Sequence, residues 1–433
     1  MSRFTSGLGV VGFVGAFLFA LLPGAVPALA TDGFNHRGNI LIADQFNNRV
    51  IEADTAGNII WSFGLGPNDF SAASVIGVND AQRVGPLTLM AGTGTPPGVI
   101  PQAPDGAVDN RVMLVDPSHQ IIWQYGQFGQ TGSGPNLLST PVQCTWLPNF
   151  NVLITDQGNN RIIEVNIAKD IVWQYPGSNQ DPNDQLNSPN SAELLENGHI
   201  LIADENNNRA LEVTRADVIV RTFTAGGTLG AVAFASRLEN GNTLLTDAGN
   251  SRAVEVDPND NVVWQFVTNT DPLSIPAPLP TRAVRLRNGD TLISDQFNNR
   301  VIRVSSAGMI VASYGLPLAG GPVDPFPFGN NVGYDIHTTQ NGLYSPYDAK
   351  IIGDYTGLTP PFGFEHEHGS GDMNCDGVIN FADINPFVLA LTGQAAYQAA
   401  FPDCDYLNAD INGDGLVDFA DINPFVALLS GGK

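Results

Sequence analysis

The sequence predicts an all-β domain of six repeated units followed by a small α-helical domain, and two internal repeats carry this prediction. The first repeat is the phrase Asn-Ile-Leu-Ile-Ala-Asp-Gln-Phe-Asn-Asn-Arg-Val-Ile-Glu-Ala-Asp at 39–54, which returns four times and once in a degenerate form. Its Arg falls at six positions, namely Arg49, Arg111, Arg161, Arg209, Arg252 and Arg300. Because the spacings run from 43 to 62 residues, each unit has the length of one propeller blade. The all-β domain is therefore predicted to be a six-bladed β-propeller.

Each unit divides into four short strands separated by turn residues. In the third unit these strands are Val142–Leu147, Val152–Thr155, Arg161–Val165 and Ile171–Tyr175. The outer strand carries Trp61, Trp123, Trp173 or Trp264, with Arg221 and Ala312 at that place in the fourth and sixth units. The inner strand carries a small residue five positions before a turn residue, namely Ser74, Cys144, Ala192, Ala235 and Ala283. Since only small side chains fit close to a propeller axis, Cys144 is interpreted as a buried free thiol and not as a nucleophile.

The first unit lacks an inner strand of its own, because the mature chain predicted below reaches Asn39 almost at once. The segment Ser345–Ile352 matches Ser188–Leu195 in pattern and places Ala349 in a sixth small position. We therefore expect the chain to return and complete the first blade, with a closing strand at about 345–353 in a propeller that spans 31–358. Residues 316–342, rich in Pro, Gly and Asn, would form the loop that allows this return. Closure would leave no open strand edge.

A turn motif, Asp-x-x-Asn-x-Arg, recurs in five units, first as Asp44, Asn47 and Arg49. The other copies are Asp156/Asn159/Arg161, Asp204/Asn207/Arg209, Asp247/Asn250/Arg252 and Asp295/Asn298/Arg300. This motif resembles the signature of NHL-repeat propellers over about 39–314. The second unit departs from it, since no Asp lies five residues before Arg111, and 91–109 reads as an insertion. The Asp residues are either a ring of ligands or part of a hairpin turn that Asp, Asn and Arg stabilise. Repetition in nearly every blade favours the structural interpretation.

Two twelve-residue loops near the C-terminus have the composition of calcium sites. Residues 372–383 and 410–421 both place Asp or Asn at loop positions 1, 3, 5, 9 and 12, with Gly377 and Gly415 at position 6. Calcium takes six to eight oxygen ligands, and the Gly permits the turn that brings in the position-7 carbonyl. Two calcium ions are therefore predicted. The predicted ligands are Asp372, Asn374, Asp376, the Val378 carbonyl, Asn380 (directly or through water) and Asp383, then Asp410, Asn412, Asp414, the Leu416 carbonyl, Asp418 and Asp421. The alternative is a pair of acidic turns that bind nothing.

Both loops run directly into the segment Phe-Ala-Asp-Ile-Asn-Pro-Phe-Val, so each half is a loop followed by one helix. Position 12 is Asp instead of the Glu of an ordinary EF-hand. This arrangement resembles the duplicated F-hand motif of dockerin modules. The resemblance implies an EF-hand-like domain at 372–433, attached to a cohesin-like protein or another cell-surface component. Phe381-Ala382 and Phe419-Ala420 stand where cellulosomal dockerins commonly have a small hydroxyl pair, which argues against a cellulosomal partner.

Composition and the N-terminus indicate a secreted protein, extracellular or at the cell surface. The formal net charge is −24 with only 19 Lys plus Arg, which argues against nucleic acid and anionic membranes as partners. An apolar stretch at 8–22 and an Ala28-Leu29-Ala30 site predict a signal peptide at 1–30, cleaved after Ala30. An uncleaved membrane anchor is the alternative, and no other stretch is long and apolar enough to span a bilayer. In an exported protein Cys375 and Cys404 can form a disulfide, which the sequence leaves open.

No catalytic residue is assigned from the sequence. The chain lacks the Gly-x-Ser-x-Gly, His-Glu-x-x-His and phosphate-loop motifs. Glu365-His366-Glu367-His368 falls in a predicted linker at 359–371. Polar residues expected to face the channel are Glu193, Arg282, Asp348 and Lys350. The leading hypothesis is a non-catalytic propeller that binds a protein or glycan. The alternatives are an extracellular enzyme (lyase, hydrolase or sulfotransferase-like) acting at the channel mouth, and a structural surface protein.

Overall fold

The computed structural model describes residues 34–36, 38–55, 57–177, 185–271, 274–315, 342–354, 371–375, 379–401, 404, 406–411 and 417–429. The predicted signal peptide at 1–30 and nearly all of the predicted loop at 316–342 and linker at 359–371 lie outside these residues. Within them, six four-stranded antiparallel sheets form the blades of a propeller. The six-bladed β-propeller predicted from the repeats is confirmed.

The described residues contain 24 strands, four to each blade. Blade one contains β1 (Ile40–Asp44), β2 (Arg49–Ala53) and β3 (Ile59–Phe63) together with the last strand of the ring, β24 (Pro346–Ile351). Blade two contains β4 (Val78–Val84), β5 (Leu87–Thr95), β6 (Ala107–Val115) and β7 (Ile121–Tyr125), and blade three contains β8 (Pro141–Trp146), β9 (Val152–Asp156), β10 (Arg161–Val165) and β11 (Ile171–Tyr175). Blade four contains β12 (Pro189–Leu194), β13 (Ile200–Asp204), β14 (Arg209–Val213) and β15 (Ile219–Phe223). Blade five contains β16 (Val232–Arg237), β17 (Thr243–Asp247), β18 (Arg252–Val256) and β19 (Val262–Val267), and blade six contains β20 (Pro280–Arg285), β21 (Thr291–Asp295), β22 (Arg300–Val304) and β23 (Ile310–Tyr314).

Blade one is completed by the strand from the far end of the ring. β24 pairs antiparallel with β1, with Ala349 opposite Ile42 and Lys350 opposite Leu41. The Asn299 side chain of blade six accepts a hydrogen bond from the Ser345 amide at 2.8 Å, just before β24. The same contact joins Asn48 of blade one to the Gly77 amide before β4. The closing strand is therefore held by the same link that joins consecutive blades.

Small residues line one level of the inner strands. Ala349, Ala81, Cys144, Ala192, Ala235 and Ala283 pair with the second strand at the same register and are all buried. The expectation of Ser74 at this level in blade two was wrong, because Asn79 reads as a turn residue in the sequence but lies within β4. The actual turn follows Val84, and Ala81 takes the position.

Apolar clusters lie between neighbouring blades, and this explains the nearly continuous Ile-Leu-Ile runs of the second strands. In β9, Ile154 packs in the cluster shared with blade two, whereas Leu153 packs in the cluster shared with blade four. Both faces of a blade are therefore covered, so both faces of its central strands are apolar. Equivalent clusters lie at the other four blade contacts.

The C-terminal region contains three short helices within the described residues: α1 (Ile384–Leu391), α2 (Gln394–Ala400) and α3 (Ile422–Leu429). Each predicted loop leads through a 3₁₀ turn, Phe381–Asp383 or Phe419–Asp421, into α1 or α3. α2 between the two halves was not predicted. A disulfide joins Cys375 to Cys404, and the Phe387 and Phe425 rings stack with centroids 4.1 Å apart. No helix in the described part of the chain is long and apolar enough to cross a membrane.

Candidate functional site

The Asp-x-x-Asn-x-Arg motif builds the turn between the second and third strands. In all five copies one Asp oxygen accepts a hydrogen bond from the Arg Nε at 2.6–2.8 Å and another from the Asn Nδ2 at 2.7–2.8 Å. In blades one, three, four and five the other oxygen accepts a backbone amide just before the inner strand, at 2.7–2.8 Å. Each carboxylate is fully buried, and in blade six the second oxygen, Asp295 Oδ1, has no hydrogen-bond partner among the described residues. The motif therefore supports the structural interpretation and not a ring of ligands.

Blade two contains the same contact in a form that the sequence pattern missed. Arg111 lies opposite Gly92, the register position that Asp occupies in the other blades. The carboxylate comes instead from Asp109, which accepts from Arg111 Nε at 2.5 Å and from the Ile76 amide at 2.8 Å. A Cβ on Gly92 would lie 2.4 Å from the Asp109 carboxylate, so this group fills the space of the missing side chain. The predicted insertion at 91–109 is an extension of β5 and β6 into a longer hairpin.

The propeller axis holds a buried cluster of charged side chains. Lys350 Nζ donates to Asp80 Oδ1 at 2.9 Å, to the Ala81 carbonyl at 2.8 Å, and to Asp348 Oδ2. Asp80 Oδ2 in turn accepts the Cys144 amide of blade three at 3.0 Å. Burial, together with repulsion from Asp80, raises the pKa of Asp348 to about 6. Lys350 thus places an ammonium group between two carboxylates on the axis, where it ties blades one and two together.

A second cation, Arg282, spans the axis from blade six. Its guanidinium donates to the Asn190 Oδ1 at 3.0 Å, to the Ala233 carbonyl at 3.2 Å and to the Val142 carbonyl at 3.1 Å. It also lies 5.1 Å from the centre of the Tyr347 ring. One buried side chain therefore contacts blades one, three, four and five, and it closes the middle of the ring.

A small cavity lies among the axial side chains. A cavity of ≈ 10 Å³, room for about one water molecule, is lined by Cys144, Glu193, Lys350 and their neighbours. Burial raises the pKa of Glu193 well above its usual range and raises that of the Cys144 thiol as well. All four polar residues expected to face the channel are therefore on the axis and buried. The expectation that Cys144 is a buried free thiol is confirmed.

A polar cluster at the channel mouth was not recognised in the sequence. Glu205, the first residue of the 3₁₀ turn in blade four, accepts hydrogen bonds on Oε2 from Asn190 Nδ2 at 2.8 Å and from Gln157 Nε2 at 3.1 Å. Asn190 Nδ2 also lies 2.8 Å from the Tyr347 hydroxyl. Burial raises the pKa of Glu205 above its usual value, and raises that of Tyr347 to about 12. The available signal was that Glu205 stands where blades one, three and six have Gln45, Gln157 and Gln296.

His199 forms a side-chain contact within blade four. His199 Nδ1 lies 2.8 Å from Glu212 Oε1, at the place where Asn151 and Asn242 contact the equivalent glutamates of blades three and five. It therefore takes a structural position shared between blades. His337, His366 and His368 lie outside the described residues. Across the described ranges, no three His, Cys, Asp or Glu side chains converge as a metal site.

The predicted calcium loops are described only in part. Asp376, Val378, Asn412, Asp414 and Leu416 lie outside the described residues, so the ligand set stays a prediction. In the first loop Asp383 is fully buried; its Oδ1 accepts the Met373 amide at 2.7 Å and its Oδ2 accepts the Asn380 amide at 2.8 Å. In the second, Asp421 accepts the Asp418 amide at 2.9 Å. The Asp at loop position 12 therefore accepts a hydrogen bond from the position-9 amide in both loops. In the first loop it also accepts one from the position-2 amide.

No protein-family model matches this chain, and no curated protein matches its sequence. Among solved structures it is similar to a virginiamycin B lyase from Staphylococcus aureus, at 15% identity and a TM-score of 0.44 over 65% of this chain and 82% of that chain. It is also similar to a protein of unknown function from Bacteroides caccae, at 13% identity and a TM-score of 0.46 over 64% of this chain and 93% of that one. A streptogramin B lyase gives 13% identity and a TM-score of 0.45 over 65% and 80%. Likenesses this distant say nothing about activity.

Proposed function

We propose that this is a secreted, calcium-binding, non-catalytic propeller protein that binds a protein or glycan and is attached to a partner through a dockerin-like C-terminal module. The observation that carries the propeller part is the filled axis. Lys350 and Arg282 occupy its centre: the Lys350 ammonium donates to Asp80 and Asp348, and the Nη1 and Nη2 of Arg282 donate to backbone carbonyls. Among the described residues, the cavity beside these side chains has room for about one water molecule, which is too small for a substrate.

The attachment part of the proposal rests on two matching apolar surfaces. Phe381 and Phe419 are each 79% exposed, and each begins the 3₁₀ turn that leads into α1 or α3. Seven residues further along, within α1 and α3, Val388 and Val426 are 53% and 55% exposed. Large apolar side chains exposed at equivalent places in two copies are characteristic of a binding surface. The duplication supports a partner that can bind either half.

Calcium fits the chemistry of the loops. Asp383 is a fully buried carboxylate that contacts only backbone donors and no Lys or Arg among the described residues. Asp372, Asn374, Asn380 and Asp383 of the first loop and Asp410, Asp418 and Asp421 of the second are the described residues that would hold the ions, together with the ligands predicted outside them. The ion would supply positive charge that offsets repulsion among the carboxylates and couple its binding to folding of the loops.

Attachment is tested by surface plasmon resonance of the full chain over immobilised cohesin-type domains of several classes. We expect binding in calcium that disappears in EDTA. The Phe381→Asp and Phe419→Asp single variants should each retain binding through the intact half, and the double variant should lose it. Absence of binding to every domain, or binding unaffected by EDTA, would contradict the proposal. Loss of binding in one single variant alone would contradict only the use of both halves.

An enzyme with its active site at the channel mouth is the second candidate, and one observation favours it. Glu205 is a half-buried carboxyl at the mouth, and burial raises its pKa in the direction that suits a general acid or base. The test is incubation of the full chain with a candidate glycan, followed by chromatography of the products. New products that the Glu205→Gln variant does not form would favour the enzyme over the binding protein.

A further inference from the structure

The two halves of the propeller face that carries the Asp-x-x-Asn-x-Arg turns differ. We call this the turn face. Over blades six and one, the loop at 96–106 folds back from β5 and β6, and Ile100 and Ala103 pack against Phe46 and Tyr344. Phe297, at the same place in the turn of blade six, packs against this cluster. The extended hairpin of blade two therefore covers this half of the turn face.

The other half of the turn face carries no such cover from the described residues. The turn residues equivalent to Phe46 and Phe297 are Gly158, Asn206 and Gly249 in blades three, four and five, and all three are exposed. The cluster over blades six and one contains Phe46 and packs against Phe297. Blades three, four and five have Gly or Asn at this position, and their turns are exposed to solvent there. Glu205 and Gln157 lie at this open half, where both are half-buried.

The amides at the mouth form two separate sets. On the covered side, Gln296 donates to Gln45 at 2.8 Å and Gln45 donates to Asn79 at 2.8 Å, so neutral amides satisfy one another in a buried chain. On the open side, Glu205 replaces the Gln, and its two side-chain donors, Gln157 and Asn190, both reach its Oε2. Its Oε1 accepts no hydrogen bond from any described residue, and no Lys or Arg of the described part forms an ion pair with it. Among the described residues, the Oε1 of this carboxylate is therefore left for a ligand.

The support beneath Glu205 fixes its orientation. Asn190 donates to Glu205 Oε2, while its own Oδ1 accepts from Arg282 at 3.0 Å. Arg282 is itself held by carbonyls of other blades, so the carboxylate rests on a chain of buried hydrogen bonds. The guanidinium beneath also opposes a positively charged ligand. A neutral ligand with both hydrogen-bond donors and acceptors fits better, because the side-chain amides of Gln157 and the exposed Asn206 each carry a donor and an acceptor.

We propose that the open half of the turn face is a saccharide-binding site, in which Glu205 accepts hydrogen bonds from ligand hydroxyls and Gln157 and Asn206 complete the contact. This inference rests on the proposed binding function and names its ligand class and its residues. Glu205 is the anchor, since a carboxylate accepts stronger hydrogen bonds than a neutral amide. A hydroxyl can donate to Glu205 and accept from a neighbouring amide at the same time.

The chain itself supplies variants that the fold tolerates. Glu205→Gln introduces the residue that blades one, three and six already have, and Gln157→Ala introduces the residue that blade five has at Ala248. Glu196→Gln is the matched control, because it removes the same charge from an exposed turn of blade four on the opposite face. Unchanged urea midpoints by tryptophan fluorescence would verify that all three variants are folded.

Calorimetry and an array of cello-, xylo-, manno- and chito-hexaoses would test binding by the full chain, with spermidine as a cationic probe. We expect at least one hexaose to bind, with an affinity reduced at least about 10-fold by Glu205→Gln, about 1.4 kcal/mol, reduced by Gln157→Ala, and unchanged by Glu196→Gln. Absence of hexaose binding would overturn the inference, as would spermidine binding that Glu205→Gln abolishes without any saccharide binding. Hexaose binding that Glu205→Gln leaves unchanged would overturn this site but leave the proposed binding function in place.

Discussion

Lys350 is the side chain whose removal should most clearly destabilise the ring. It is buried, and its ammonium contacts Asp80, Asp348 and the Ala81 carbonyl. Lys350→Met keeps the length of the apolar stem and removes the charge. The variant would leave two buried carboxylates facing each other without the ammonium between them, next to a cavity that holds about one water molecule.

The expected loss of stability depends on the charge of Asp80 and Asp348, the carboxylates that Lys350 contacts. Removing one member of a buried ion pair typically costs about 3–5 kcal/mol, because the remaining charge stays buried and unpaired. We expect a loss in this range at pH 8. The loss should be smaller at pH 5, because the pKa of Asp348 is already raised to about 6 and protonation relieves the repulsion. Adding Asp80→Asn and Asp348→Asn should recover most of the loss, since neutral amides of the same shape replace the two charges.

Urea unfolding followed by tryptophan fluorescence measures this effect in the propeller alone, because Trp61, Trp123, Trp146, Trp173 and Trp264 all lie in it. Lys169→Met is the matched control: Lys169 lies in a surface turn and forms no ion pair among the described residues, so a change within about 0.5 kcal/mol is expected. A loss of less than about 1 kcal/mol in Lys350→Met would refute the reasoning, as would a triple variant no more stable than the single one.

Three further perturbations test other parts of the structure. Asp109→Ala should cost the propeller about 3–5 kcal/mol, because it leaves Arg111 buried without its carboxylate; a urea midpoint like that of the original chain would contradict the blade-two assignment. Burial raises the pKa of Glu193 above its ordinary value of 4.5, so the stability that this group contributes is present at a pH below 4.5 and falls as the pH rises through the raised pKa. The stability of Glu193→Gln relative to the original chain should therefore be greater at pH 8 than at pH 4. An equal stability difference at both pH values would count against this. Replacing Cys375 and Cys404 by Ser should lower the stability of the C-terminal region by about 3–4 kcal/mol, from the loop of about 29 residues that the disulfide closes; an unchanged helix-melting transition by circular dichroism in calcium would refute it.

The blades were predictable because they repeat. The Arg spacing indicated six units, and the likeness of Ser345–Ile352 to Ser188–Leu195 located the strand that pairs with β1. The second blade was not recognised from the pattern, because its carboxylate belongs to Asp109 and position 92 is Gly. The pairing of Gly92 with Arg111 in the structure reveals this substitution. Ser74 was misplaced for a related reason. Asn79 is polar and was read as a turn residue, but it lies inside β4.

The axis and the mouth were predictable only in part. Arg282, Asp348 and Lys350 were recognised as channel-facing, but the contact between Lys350 and Asp80 joins residues 270 positions apart. Glu205 was overlooked because a Glu in place of a Gln reads as ordinary variation until its neighbours are known. Phe46 and Phe297 likewise show their meaning only once the hairpin of blade two is seen to cover them.

Calcium calorimetry on the full chain and on a chain lacking 366–433 tests the account most directly. We predict two equivalents bound by the full chain and none by the shortened one, because the ligand-rich loops lie in the removed part and Lys350 occupies the axial position between Asp80 and Asp348. A full chain that binds no calcium would contradict the proposed module. A site that survives the deletion would place a metal on the propeller and contradict the closed, non-catalytic axis.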